Sequence, residues 1–509
     1  MELEWKKSTL DAFAIGAEQA VTQEETAETV VPDYCPDIAR IIDAEGRAFL
    51  HRREVSGGRA EVSGVVRLTL LYVPDGEGGI RSLALSLPFT AQAEGMGEAV
   101  CLLAEAGVES LETRLLNPRK VFTRCRLTVR VSPCRPAPLQ FSSDVSAPPE
   151  LGLEKRQECR KTTLLTRVAE KDFTFSDTWG LSAGREGAAE ILAGRCTPLV
   201  GDCKLLGGKL LVKGAFSLSV LYRTAGGKCC SAAGELPFSQ ILELGGEEPE
   251  AAAEVRLQLS GCDIQLAAGE GEGRSLSVTL SLHAVALLRR EVELTLLRDL
   301  YSTAYELSYE AEPLLLTEYE DLGVRRQSVR ELLEVGVVAE TLLDVSVRCG
   351  AVTALREGEG GSLRCTCRIR ALYLDEGGAP LAAERSVEVS CPMDWPEDGR
   401  LEATVCCPEE PQGSLGERGI ELRFALEFRA QCCRTRKRAS IAAAHWEETP
   451  LELAGLPSLV LRSLGPEEEL WDLAKRCRST IPVILAANGL ESEEDAHTGQ
   501  LLLIPRRRV

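Results

Sequence analysis

The sequence predicts a mainly β protein: three tandem antiparallel β-sandwich-like repeats followed by a small carboxy-terminal βααβ domain. Three observations lead to this prediction. Apolar and polar residues alternate over long stretches, similar stretches return at an interval of about 150 residues, and the alternation stops near the end of the chain. We therefore expect repeats at residues 1–150, 151–310 and 311–447, a linker at 448–456 and a last domain at 457–509.

Length and composition agree with several soluble domains and narrow the function. The 509 residues correspond to three or four domains of about 150 residues. Lys plus Arg number 58 and Asp plus Glu number 78, so the net charge is 58 − 78 = −20, which repels nucleic-acid backbones. Aromatic residues are only 5% and histidines only four, which leaves little material for base stacking or imidazole catalysis. The composition therefore favours a non-enzymatic protein that binds no nucleic acid.

One long segment returns twice along the chain. Gly58–Tyr72 reappears as Gly208–Tyr222 after 150 residues, and as the weaker copy Leu363–Tyr373 after a further 151. The first two copies contain a second glycine, and Cys365 stands at that position in the third. A period of this size is the size of a domain.

Each copy begins and ends with an alternating stretch. In the first copy the apolar residues on one parity are Val62, Val66, Leu68, Leu70 and Tyr72. The closing stretches are Val121–Val131, Leu276–Leu282 and Ile420–Phe428. A shorter strand between them ends at Leu87-Pro88-Phe89, with Cys391-Pro392-Met393 as its third counterpart. The period of two predicts strands buried on one face only, and the turn signals between them favour antiparallel sheets. The pattern does not separate a sandwich from a barrel.

The cysteines are predicted to be packing residues in a reducing compartment. The amino terminus is charged and has no apolar segment of signal-peptide length, which predicts a cytosolic protein. No stretch approaches the ~18 apolar residues of a transmembrane segment. Cys365 and Cys367 share a parity with Leu363 and Ile369. A Cys-x-Cys metal clip is the less favoured alternative because no second pair with zinc spacing follows, so we expect no metal and no cofactor.

The last 50 residues change from a period of two to helical spacing. Pro466 and the three glutamates after it predict a helix start, and Leu470, Leu473, Ala474 and Cys477 form one apolar face. A second helix is expected from the Ser479-Thr480 cap to a stop at Asn488-Gly489. Short apolar strands on either side of the two helices complete a βααβ order.

These residues resemble a LysM domain. The resemblance rests on Leu470–Arg476, Asn488-Gly489-Leu490 and Gly499–Pro505. LysM domains bind N-acetylglucosamine polymers between the loop before the first helix and the loop after the second, which implies a groove in this chain. The groove residues implied are Glu467, Glu468, Glu469, Leu490 and Ser492. The three glutamates replace the Gly-Asp-Thr or Gly-Asp-Ser that is usual in the family.

The rest of the chain resembles the SPOCS-domain family of spore-forming bacteria. The matching segments are Val21–Glu28, Val31-Pro32-Asp33, Pro36–Ile41, Leu71–Pro74, Leu87-Pro88-Phe89, Asn117–Val121 and Tyr301-Ser302-Thr303. With a terminal LysM, the arrangement is similar to SipL-type spore coat morphogenetic proteins. The resemblance implies work in the mother-cell cytosol and recruitment to the forespore surface. The implied partners are the coat-assembly ATPase (stage IV sporulation protein A) or other coat proteins.

The leading functional hypothesis is therefore a non-enzymatic spore coat adaptor, and the alternative is a cell-wall protein that binds peptidoglycan through its LysM. An enzyme ranks third because the histidines, His283 among them, stand in no catalytic motif and a structural role is favoured for each. Asp33 and Asp37 near a turn are expected to cap it. The basic clusters Arg434–Arg438 and Arg506–Arg508 are either sites for an acidic partner or solvated strand ends.

Overall fold

The structure is a computed structural model in which strands account for 74% of the residues and helices for 4%, so the mainly β prediction is confirmed. It describes residues 3–76, 78–182, 184–267, 273–357, 360–452, 455 and 457–506. Within these ranges, no helix combines the length and the hydropathy that crossing a bilayer requires.

The first unit is a pair of packed sheets. Its strands are β1 Glu4–Leu10, β2 Phe13–Ile15, β3 Gln19–Val30, β4 Ile38–Ser56, β5 Arg59–Pro74, β6 Arg81–Ala93, β7 Cys101–Asn117, β8 Lys120–Pro136 and β9 Leu139–Ser146. Strands β4, β5 and β6 form one antiparallel sheet in that order, and β8 lies between β3 and β7 in the other. Strand β1 pairs with β9.

The second unit repeats this order. Its strands are β10 Leu153–Gly180, β11 Ala188–Leu205, β12 Lys209–Thr224, β13 Cys229–Glu243, β14 Ala252–Leu266 and β15 Ser275–Ser302. Strands β11, β12 and β13 form a three-stranded sheet, and β15 lies between β10 and β14. The short strand β2 pairs with both β8 and β10, so it joins the outer sheets of the first and second units into one seven-stranded sheet.

The third unit is built in the same way. Its strands are β16 Tyr305–Glu334, β17 Ala339–Glu357, β18 Gly360–Asp375, β19 Pro380–Pro392, β20 Arg400–Cys406, β21 Gln412–Gly416 and β22 Gly419–Pro450. Strands β17, β18 and β19 form the three-stranded sheet, and β22 pairs with β16, β20 and β21 in the other. The module that follows contains β23 Leu459–Ser463, helix α1 Leu470–Cys477, helix α2 Ile481–Asn488 and β24 Leu501–Pro505.

Each unit encloses one main apolar core between its two sheets. In the first unit, Val62, Val66, Leu68, Leu70 and Tyr72 of β5 are all at most 2% exposed and pack with Val121–Val131 of β8. Equivalent cores join β12 to β15 and β18 to β22. Two facing sheets with alternating inward residues are the arrangement that the sandwich-like prediction expects. Cys365 and Cys367 lie in the third core, 1% and 0% exposed, as the alternation predicts.

The second glycine recurs in the first two copies, as Gly64 and Gly214, for a steric reason. A Cβ on Gly64 would lie 2.2 Å from the Phe49 carbonyl oxygen and 2.8 Å from the ring of Phe89, the residue directly opposite on β6. In the third unit the residue opposite Cys365 is Val389, which is smaller than the phenylalanine opposite Gly64. The register therefore places Val387–Val389, rather than the expected Cys391-Pro392-Met393, in the position of Leu87-Pro88-Phe89.

The three-stranded sheets also meet one another. Leu71, Leu221 and Leu372 occupy equivalent positions and are 1%, 1% and 0% exposed in one shared cluster, together with Leu192 and Leu343. These leucines fall on the parity that the alternation assigns to solvent. The prediction of one buried face is wrong here, because the units bury part of the second face against each other.

An ion-pair network surrounds this junction. Arg195 of β11 lies 2.7 Å from Asp344 of β17, and Arg348 of β17 lies 2.8 Å from Glu45 of β4. Burial acts to raise the pKa of Glu45, but Arg195, Arg348 and Arg370 outweigh burial and hold it well below its usual range. Positions 45, 195 and 346 are equivalent in the three units but hold Glu, Arg and Ser. The three units therefore present different side-chain charges at their junction.

One of the predicted domain boundaries lies in a turn, and the other two lie inside strands. Residues 150 and 151 fall in the 3₁₀ turn Pro149–Leu151, whereas residues 310 and 311 lie inside β16, and 447 and 448 lie inside β22. Residues 453, 454 and 456 of the expected linker lie outside the described residues. The division at 150, 310 and 447 stays a prediction.

Candidate functional site

The carboxy-terminal module, residues 457–506 as described, has its strands and helices in the order β23, α1, α2, β24. The apolar face of α1 is buried: Leu473 and Ala474 are 0% exposed. Helix α1 begins at Leu470 rather than at Pro466, because Glu469 is its N-cap and the Glu469 N–H donates to the Asp472 carboxylate at 3.3 Å. Helix α2 ends where expected, with Gly489 in the left-handed conformation at φ 65°.

The module is anchored on the long strand β15 of the second unit. The Tyr301 hydroxyl donates to the Ser479 carbonyl at 2.8 Å, and its ring packs edge-on against Trp471 with centroids 5.0 Å apart. Trp471 Nε1 donates to Asp299 at 2.7 Å, and Lys475 Nζ donates to the same carboxylate at 2.6 Å. An aromatic ring pair and a charge-assisted bond both act across this contact.

The electrostatics of Asp299 show how closely the two parts fit. Burial acts to raise the pKa of Asp299, but the hydrogen bonds from Lys475 and Trp471 outweigh burial and lower it. Arg478, the left-handed C-cap of α1, donates to the Ser302 carbonyl at 2.9 Å and pairs with Glu306 of β16. The module is therefore docked on the sandwich body through α1.

The first predicted groove loop takes part in this docking. Glu467 is exposed, whereas Glu468 accepts a hydrogen bond from the Gly465 N–H at 3.1 Å and pairs with Arg476 at 2.8 Å. Glu469 pairs with Arg156 of β10. Two of the three glutamates are thus engaged within the chain.

The second predicted groove loop follows α2 and contains Leu490 and Ser492. Leu490 is half-buried against the module core, and Ser492 is exposed, its N–H donating to Asp495 at 2.8 Å. Glu469 and, at longer range, Glu493 both act on the charge of Arg156. Of the two loops, the first contacts β10 directly, through Glu469 and Arg156. Whether they bind a sugar or a protein stays a prediction.

The docking residues were not singled out by the sequence pattern. Asp299 and Arg156 lie in alternating strands where charged residues are expected on the solvent side. One signal was present, since Tyr301-Ser302-Thr303 is a segment of the SPOCS resemblance. In the structure Tyr301 is 2% exposed, and the Ser302 hydroxyl accepts a hydrogen bond from the Ala304 N–H at 3.0 Å.

A second group of resemblance segments meets at one arginine. Arg119 donates to Asp37 at 2.9 Å, to Asp33 at 3.0 Å and to the Val31 carbonyl at 3.0 Å. It also donates to the Cys35 carbonyl at 3.1 Å. The expectation that the two aspartates act as turn caps is therefore wrong: a distant guanidinium holds the loop between β3 and β4.

The predicted basic clusters are partly used inside the protein. Arg434 lies 3.6 Å from Glu318 and Arg436 lies 3.8 Å from Asp398. Arg506 Nε donates to the Cys477 carbonyl at 3.1 Å, and Arg507 and Arg508 lie outside the described residues.

His283 lies in a small cluster of polar side chains. Its Nδ1 is 2.8 Å from Asp172, and its Nε2 is 3.6 Å from Glu170. The Cys101 thiol donates to Glu170 at 3.0 Å, and burial, followed by this carboxylate, raises the pKa of the thiol. A raised pKa keeps the thiol protonated, which is the opposite of what an activated nucleophile requires.

One comparison with known proteins bears on this architecture. Residues 188–267 match the family model described as SipL, SPOCS domain. This range begins with β11 and ends just after β14, so it covers the three-stranded sheet of the second unit and the strand that follows it. No curated protein and no solved structure matches the chain. The match supports a SPOCS-domain protein, with the domain in the second of its three units.

Proposed function

We propose that this chain is a non-enzymatic adaptor of spore coat assembly. It docks on the coat-assembly ATPase (stage IV sporulation protein A) at the forespore surface, in the mother-cell cytosol. The observation that supports this most directly is the SPOCS match at residues 188–267, because a SPOCS domain implies a role in spore coat assembly.

The architecture suits a scaffold. Three sandwiches share one apolar junction, and β2 joins two of their outer sheets. Such a body holds several surfaces at fixed distances. A polymerised partner then meets several modest contacts at once, and these contacts add through effective concentration without any single deep pocket.

The carboxy-terminal module supplies one of these surfaces. Its helix α1 is fixed to β15, while the exposed residues Glu467 and Ser492 of the two loops remain accessible beside it. The exposed carboxylate of Glu467 favours a protein partner with basic side chains over a neutral glycan.

Recruitment in sporulating cells tests the proposal. A fluorescent fusion of the full chain is expected to surround the forespore, and a chain that ends at residue 456 is expected to be recruited less. Because truncation also uncovers Tyr301, the charge reversal Glu467→Arg serves as a second variant on the intact fold, with Glu447→Arg on the exposed end of β22 as its control. Normal recruitment of both the truncated chain and Glu467→Arg would contradict a role of the module.

The peptidoglycan alternative has its own test. Purified full chain is incubated with insoluble peptidoglycan and with chitin, and the retained fraction is measured. We expect no retention on either polymer. Strong retention that Glu467→Arg abolishes would replace the adaptor proposal with the cell-wall one.

A further inference from the structure

Two arginines stand directly opposite each other at a cavity between the first and second units. Arg47 of β4 and Arg67 of β5 are cross-strand partners, and like charges in this position destabilise an antiparallel pair. Both side chains line a cavity of about 490 Å³. Such a volume is within the range of small-molecule sites.

Both guanidiniums reach across to the second unit but meet only carbonyl groups there. Arg47 Nη1 donates to the Cys196 carbonyl at 2.6 Å, and Arg67 Nη1 donates to the Cys262 carbonyl at 3.1 Å. Among the residues that the structure describes, no carboxylate lies within 4.0 Å of either guanidinium. Burial lowers the pKa of Arg47, and Glu45 offsets this only in part. The pair therefore presents two positive charges whose direct partners are neutral.

The equivalent strand pairs in the other units give an internal comparison. In the third unit Arg348 and Arg368 are also directly opposite, but Arg348 pairs with Glu45 at 2.8 Å and Arg368 pairs with Glu384 at 3.1 Å. In the second unit the same positions hold Thr197 and Ser217, which are uncharged. Carboxylates thus neutralise the arginine pair of the third unit, one from the first unit and one from the third, whereas the arginine pair of the first unit has no such partner among the described residues.

The remaining lining fits a small organic anion. Three carboxylates also line the cavity: Asp43 and Glu45 pair with Arg370 of the same lining, and Asp263 accepts a hydrogen bond from the neutral amide of Gln265. Hydroxyl groups and apolar side chains complete the wall; they include Thr69, Ser82, Ser86, Leu71 and Ile264. The Cys262 thiol at the same wall has a lowered pKa, first because of its hydrogen bond with Cys196 and then because of Arg47 and Arg67. With Arg195 and Arg370, four arginines line the cavity against the three carboxylates of Asp43, Glu45 and Asp263, so the formal charge of this lining is positive.

We propose that this cavity binds a small organic anion whose phosphate or carboxylate group is held between Arg47 and Arg67. Two planar guanidiniums offer paired N–H donors that match such an oxyanion. Because the walls come from both units, the bound anion would also tie the first unit to the second.

Calorimetric titration of the full chain with inorganic phosphate, pyrophosphate and citrate, at constant ionic strength, tests the site. We expect saturable binding of at least one anion. Pyrophosphate binding alone would assign a phosphate-bearing ligand, and citrate binding alone a polycarboxylate. Arg67→Ser and Arg47→Thr, which introduce the residues of the second unit, are expected to weaken binding about tenfold or more. Arg59→Ser, an exposed arginine outside the cavity, is the matched control.

A charge reversal keeps the test decisive if removal of an arginine disturbs the fold. Arg67→Glu places a carboxylate directly opposite Arg47, so we expect a raised melting temperature without anion and no anion binding. Circular dichroism verifies that each variant is folded. The proposal is overturned if none of the three anions binds, or if Arg67→Ser binds them as tightly as the unmodified chain does.

Discussion

The contact between Asp299 and helix α1 allows a quantitative prediction. Asp299→Ala removes the one carboxylate that accepts from both Trp471 and Lys475, at 2.7 and 2.6 Å. The aspartate side chain is 18% exposed and the lysine side chain 37% exposed, so solvent screens the pair only in part. We expect the module to detach from β15 more often while the sandwich units stay folded.

The magnitude follows from the two hydrogen bonds. Each bond that involves a charged group contributes about 1.5 to 3 kcal/mol, and the two share one acceptor and a partly exposed lysine. We therefore expect the free energy of docking of the module on β15 to weaken by about 2 to 3 kcal/mol, which corresponds to a shift of roughly 30- to 150-fold in the docking equilibrium. The Tyr301 hydroxyl bond and the Arg478 contacts remain in the variant and limit the loss.

Hydrogen–deuterium exchange measures this directly. Amides of α1 and of the loop before it are expected to exchange faster in Asp299→Ala by roughly the same factor, whereas amides of β5 and β8 are expected to be unchanged. The control is Asp177→Ala, which removes an exposed aspartate whose one hydrogen bond to the described part of the chain comes from the neighbouring Thr178 N–H. Equal exchange in α1 of both variants would refute the docking argument.

Three further outcomes are expected. Gly214→Ala places a Cβ 2.1 Å from the Leu199 carbonyl oxygen, so we expect it to lower the free energy of unfolding in urea by about 1 to 3 kcal/mol or more. The Cβ of Gly107→Ala meets no atom within 4 Å, so this variant should leave the free energy of unfolding unchanged. The pKa of Glu45 is lower in the folded than in the unfolded state, so Glu45 stabilises the fold above its unfolded pKa of about 4.3, and this stabilisation is lost as the pH falls through the lower folded pKa. Glu45→Gln should therefore lower the melting temperature at pH 7 and make the melting temperature fall less steeply in acid. Arg119→Ala releases Asp33 and Asp37, and limited proteolysis between β3 and β4 should become faster, while unchanged cleavage would contradict the clamp.

Several features of the fold could be predicted from local patterns. Side chains alternate along a strand regardless of what the strand pairs with, so the core residues Val62 to Tyr72 were evident from their spacing. The ends of α2 are likewise local: Thr480 is the N-cap residue, although its side chain makes no capping hydrogen bond, and the N–H of the left-handed Gly489 donates to the Leu485 carbonyl. The start of α1 was missed by four residues because Glu469, a rarer N-cap, competes with the proline signal at 466.

The predicted groove residues show the limit of such patterns. Their positions in two loops follow from the strand and helix order, but the partners of Glu468 and Glu469 do not. Arg476 lies on α1, and Arg156 lies more than 300 positions away on β10. No spacing rule connects residues so far apart in the chain.

The alternation, the 150-residue period and the helical end are properties of neighbouring residues, so the amino-acid order alone establishes a chain of β units with a distinct last module. The junction leucines, the Glu45 network, the Arg47–Arg67 pair and the docking of α1 on Asp299 arise when units that are distant in the chain come together. In the sequence, a polar strand face has the same pattern whether it contacts water or another sheet of complementary charge. The packing of the three units decides which of the two it contacts.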